Sequence, residues 1–177
     1  MKIKSFNNPF GSINNISIEN ANFSKNTIEN ILDIFCCKKI VVSIIALDYN
    51  CDFINMIVEL RDSFNIIFPS KNTITSETKI IAKRESLMNF WNQIIAEEPR
   101  GIIIYGAEND NDFENILMNA VNLSDDYSLL LDGKFDFIFS VLLDEDYATL
   151  SFNKRKFLHK SVLNSIKSFV KTDDNNL

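Results

Sequence analysis

The sequence predicts an α/β domain, a mixed β-sheet with flanking helices that ends in a C-terminal antiparallel meander followed by a helix. Three observations carry this. Apolar stretches with strand character alternate with helix-periodic stretches as far as Val121, the pattern of a layered α/β chain. Ile40 to Leu47 (IVVSIIAL) is apolar on both parities, as a central strand covered on both faces requires. Tyr127 to Phe152 reads as three strands joined by two tight turns, with Phe135, Phe137, Phe139, Val141 and Leu143 on one face and Asp136 and Ser140 on the other.

The elements follow in order. Ile13, Ile16 and Ile18 suggest a short edge strand behind a loose segment, 1–12. Ser24 is placed to cap a helix reaching to about Lys38, because Ile28, Ile31, Leu32 and Phe35 then form one stripe. After the central strand, Asp48 starts a helix to about Ser63 that buries Phe53, Ile54, Ile57 and Val58. Asn65 to Phe68 is a short strand, and Thr78, Ile80 and Ala82 alternate with Lys79, Ile81 and Lys83 in the next. A helix from about Glu85 to Ala96 turns Leu87, Phe90, Trp91, Ile94 and Ile95 inward and stops before Pro99, which cannot be entered in helical geometry. Ile102 to Tyr105 is a strand, and Phe113, Ile116, Leu117, Ala120 and Val121 give the stripe of a further helix. In the meander, Asp132-Gly133 is expected to be a two-residue hairpin turn, since Gly tolerates the positive φ such turns need. Asp144-Glu145-Asp146 is the second turn. Asn153 is expected to cap the last helix, with Leu158, Val162, Ile166 and Phe169 inward and Lys154, Arg155, Lys156, Lys160 and Lys167 outward. The tail, 172–177, is expected to fray. A chain of 177 residues suits one domain, since folds of this size bury about 70% of their unfolded surface.

Charge placement is the feature that bears on function. Between Tyr105 and Ser151 eleven acids face one base, Lys134, so this segment carries −10 while the remainder carries +4, for a total of −6. An acidic field attracts basic partners and repels phosphates, which argues against nucleic acid as a ligand. Acids also collect at turns and helix starts for local reasons. As a set, Asp110, Asp112, Asp125, Asp126, Asp144, Glu145 and Asp146 form the candidate partner-binding surface.

Catalytic and metal chemistry find little support. Asp48-Tyr49-Asn50-Cys51-Asp52 with Glu59 imitates calcium-loop spacing, but Phe53 stands where the loop needs Gly. Cys36, Cys37 and Cys51 match no metal or redox spacing and read as structural thiols of a reducing, cytoplasmic compartment. The single His, His159, reads as a surface residue of the last helix. No apolar run reaches the roughly 18 residues of a membrane span, and no phosphate-binding glycine motif occurs. No metal or other cofactor is expected. One enzyme alternative remains: Asp48 and Asp110 each follow an apolar strand, and in a doubly wound sheet they would share the carboxyl edge where Mg²⁺ and ligands bind. A protein-binding adaptor is the third reading.

The stretch Leu131 to Phe157, LDGKFDFIFSVLLDEDYATLSFNKRKF, resembles bacterial toxin-immunity proteins, particularly those of contact-dependent growth inhibition systems. The resemblance implies a non-enzymatic cytoplasmic protein that binds one cognate toxin domain tightly and blocks its active site or substrate surface. Nuclease toxins are basic because they bind phosphate backbones, so an acidic inhibitor would be steered to them and would compete with nucleic acid.

Overall fold

The computed structural model describes residues 2–7, 11–19, 23–36, 39–45, 65–67, 77–96, 98–107, 130–133 and 135–173. Eight strands and three helices occur among them: β1 (Lys2–Asn7), β2 (Ile13–Glu19), α1 (Lys25–Ile34), β3 (Lys39–Ile45), β4 (Asn65–Ile67), β5 (Glu77–Lys83), α2 (Arg84–Ala96), β6 (Gly101–Gly106), β7 (Phe137–Leu142), β8 (Tyr147–Asn153) and α3 (His159–Asp173). The strands form one sheet in the order β1-β2-β8-β7-β6-β3-β5-β4. The α/β class and the flanking helices are as expected.

The mixed sheet is not: among the described residues every pairing is antiparallel. The reason lies in where the helical connections land. α1 joins β2 to β3, which run in the same direction but are separated by β8, β7 and β6. α2 joins β5 to β6, which also run the same way, with β3 inserted between them. Helices therefore do link codirectional strands, as in α/β chains, yet no two of those strands are neighbours.

Register explains the core. Ile16, Leu150, Phe139, Ile104 and Val42 occupy one line across the sheet, and Ile18, Ala148, Val141, Ile102 and Ile44 the next. All ten are buried and share one cluster with the inner faces of the helices. Those faces are Ile28, Ile31 and Leu32 of α1, Leu87, Met88, Trp91 and Ile94 of α2, and Val162 and Ile166 of α3. α1 packs against both other helices and is the middle one. Its start is fixed by Ser24, whose Oγ accepts the Thr27 N–H at 3.3 Å, satisfying a donor that has no partner within the helix. Arg84 at the head of α2 donates to the Glu29 carbonyl at 3.2 Å and pairs with Asp33 at 2.5 Å, tying α2 to α1.

Several local expectations are corrected. Lys2–Asn7 is a strand where a loose segment was expected, and it pairs outside Ile13–Glu19, so the latter is an inner strand. Asp132-Gly133 is a turn with Gly133 at φ 69, its N–H donating to the Leu130 carbonyl at 3.2 Å, but Leu130 and Leu131 before it are helical. Asp-Gly suits a helix end as well as a hairpin, since both need a residue of positive φ. The first strand of the C-terminal meander is consequently β6, and β7 begins at Phe137. Phe137 and Phe139 share the buried core face as expected, but Phe135 lies outside that cluster with its ring 5.4 Å from that of Tyr105, and Asp136 is buried too. Asn153 caps a turn, its side-chain oxygen accepting the Arg155 N–H at 2.9 Å, and the last helix begins only at His159. That late start leaves Leu158 exposed rather than inward. The helices expected over 48–63 and from 112 lie outside the described residues.

Candidate interaction surface

β7 and β8 are joined by a single 3-10 turn, Leu143–Glu145, followed by Asp146 in left-handed conformation at φ 48. Asp is among the few residues that tolerate this conformation without a glycine. The acidic triplet thus serves the turn as well as its charge. The Leu143 N–H donates to the Arg100 carbonyl at 3.1 Å, which pins the turn to the segment leading into β6. Leu142 and Tyr147 close its base as register partners, both half-buried. Glu145 and Asp146 stand exposed beyond them.

The turn lies at one end of the sheet, and the residues around it are set by the pairing. Glu19 is the register partner of Tyr147 and forms an ion pair with Lys4 at 2.6 Å. Glu98 is exposed, with φ 50, in the short segment whose Arg100 carbonyl holds the turn. Glu98 falls outside the acidic segment between Tyr105 and Ser151, so the charge count did not single it out. Of the residues expected to form the surface, the turn brings together Asp144, Glu145 and Asp146; Asp110, Asp112, Asp125 and Asp126 lie outside the described residues.

Asp136, counted among the negative charges of that segment, contributes nothing to an acidic exterior. Its side chain is 1% exposed and is met by Lys156 at 2.5 Å. It sits beside the opposite end of β8, where Lys154, Arg155 and Lys156 form the turn after Asn153. β8 therefore carries acids beyond its first residue and bases beyond its last.

The shared carboxyl edge needed by the enzyme alternative is absent. β3 and β6 are antiparallel, with Ile45 opposite Gly101 and Ile40 opposite Gly106, so the chain leaves the two strands at opposite ends of the sheet. Asp48 and Asp110 themselves, and the calcium-like stretch between Asp48 and Glu59, lie outside the described residues. Among the described residues no group of three or more His, Cys, Asp or Glu could hold a metal ion. Cys36 is exposed, its thiol lying 3.6 Å from the Asp33 carbonyl. His159 is half-buried rather than a plain surface residue, its ring stacked on Phe152 at 6.1 Å between centroids. No helix among the described residues is long and apolar enough to cross a membrane.

No protein-family model and no curated protein matches the chain. Among solved structures it is similar to an aspartate kinase of Clostridium acetobutylicum, at 13% identity and a TM-score of 0.25, over 76% of this chain and 33% of that one. At that TM-score the likeness carries no argument about fold or activity.

Proposed function

We propose that the chain is an immunity-type inhibitor, acting in the cytoplasm, that binds a basic toxin domain through the acidic end of its sheet. The observation that carries this reading is the β7–β8 turn. Glu145 and Asp146 are exposed, held in a turn fixed by backbone bonding, and neither forms an ion pair with a described residue. Charges presented on a rigid turn need little ordering on binding, and their field raises the association rate toward a basic surface. Exposed charges add little to stability, so a concentration of them serves recognition better than folding.

The mechanism is competition. A basic nuclease surface binds phosphates by releasing their counterions, and a carboxylate-bearing turn seated on that surface occupies the same cations. Acids at the rim would govern the on-rate. One or two buried against an Arg or Lys of the toxin would each cost about 2–5 kcal/mol when truncated.

The test is replacement of Asp144 and Glu145 by Lys and of Asp146, whose left-handed backbone a lysine would strain, by Asn, followed by titration against the product of the neighbouring gene at low and high salt. The reading expects weaker binding, a lost salt response and an unchanged melting temperature. Unchanged affinity with an unchanged salt slope would move the interface away from this turn.

A further inference from the structure

The strongest exposed patch lies at the other end of β8. Leu158 is 78% exposed, more so than any other large apolar side chain among the described residues. Around it in sequence stand Lys154, Arg155 and Lys160, all exposed, and none of the three forms an ion pair with a described residue. The patch is not loose. The Phe157 N–H donates to the Asn153 carbonyl at 3.1 Å, the Lys154 N–H to the Ser12 carbonyl at 2.9 Å, and the Val162 N–H to the Leu158 carbonyl at 3.1 Å. A bare leucine on a braced turn among cations is what a docking anchor looks like, because it loses water on contact at little cost in ordering.

We propose that this basic, leucine-tipped end docks on the acidic β7–β8 turn of a second copy, head to tail. Charge complementarity chooses the occupant. The acidic turn offers exposed Glu145 and Asp146 beside the half-buried pair Leu142 and Tyr147, which matches cations around one leucine. Within a molecule the two ends cannot meet. They are separated by the seven residues of β8, roughly 20 Å at the rise of a strand, against a screening length of about 8 Å at physiological salt. Repeated head to tail, such a heterologous contact gives rings where the rotation closes and open runs of molecules where it does not. This contact uses the same acidic turn as the proposed toxin contact, so the two would compete for it, and it is measured on the protein alone.

The experiment is sedimentation velocity of the full chain across a concentration series at low and high salt. Expected are sedimentation coefficients that rise with concentration at low salt and fall to the monomer value at high salt. Leu158→Ser is expected to weaken association about ten- to a hundredfold, the factor that burial of one leucine supplies, with an unchanged circular dichroism spectrum because the side chain is exposed. The decisive arm pairs two variants: E145Q/D146N, which keeps only the basic end, and K154Q/R155Q, which keeps only the acidic end. Each alone should remain monomeric, and their mixture should form a one-to-one dimer that grows no further. A monomer at every concentration in low salt overturns the proposal, as does association unaffected by Leu158→Ser. Binding to vesicles of anionic phospholipid without self-association overturns it too, and assigns the patch to a membrane.

Discussion

Lys156 reaches back from the turn after β8 to place its ammonium 2.5 Å from the carboxylate of Asp136, a side chain 1% exposed at the start of β7, while its own side chain stays 40% exposed. The backbone of Asp136 is bound on both sides, its N–H donating to Gly106 at 2.8 Å and its carbonyl accepting from Asn153 at 3.0 Å. The carboxylate cannot move to water, whereas the lysine can. Lys156→Met should therefore destabilise the protein by about 1–3 kcal/mol, below the full cost of breaking a buried pair because the lysine is partly solvated. Asp136→Asn should cost less, since the freed lysine turns outward. Denaturant titration of both variants checks the ordering, and the reverse order would mean that neighbours other than Lys156 hold Asp136 in place.

Phe35 ends α1 and stacks on Phe137 of β7 at 4.2 Å between centroids, while Phe157 meets it edge-on at 4.8 Å. It joins the middle helix to the sheet and to the turn before α3. Phe35→Ala should cost about 3–5 kcal/mol, and Phe35→Leu less, because the space stays filled and only the ring geometry is lost. A shifted urea midpoint at constant slope is the expected signature.

Asp146 occupies left-handed backbone at φ 48. Asp146→Val should destabilise the turn by about 1–2 kcal/mol, because a β-branched residue resists that conformation. Asp146→Asn should be nearly neutral in stability. Thermal melts distinguish this backbone role from the charge role, which the replacements across the turn address.

The cap of α1 gives a smaller effect. Ser24→Ala removes the acceptor of the Thr27 N–H and should cost about 1 kcal/mol, whereas Ser24→Asp should retain most of the stability. Calorimetry at matched pH would show both.

Where burial and local geometry agree, the elements were legible. Ser24 as a cap, Leu87, Trp91 and Ile94 as the inner face of α2, and Phe137, Phe139 and Val141 on the core face of β7 all follow from periodicity. Pairing was not legible. Nothing in the composition of β3 says that its neighbours are β5 and β6, because an apolar strand satisfies a parallel and an antiparallel partner equally well. Leu158 shows the other limit: a helical stripe that includes it is plausible until Asn153 is seen to cap a separate turn, which delays the helix and turns the leucine out. The acidic turn was readable because three adjacent acids interrupt an apolar run. The burial of Asp136 was not, since its cation arrives from twenty residues further along the chain.

β2 ends at Glu19 and pairs along its whole length with β8, which begins at Tyr147. During synthesis the amino-terminal hairpin therefore waits for nearly the entire chain before its inner edge is covered, and such distant pairing is slow to form. Until then two strand edges, one on β2 and one on β7, remain open to other chains. A ribosome stalled before Tyr147 would release a chain whose hairpin has no place to dock, so the last strand acts as the keystone that decides whether earlier folding is kept.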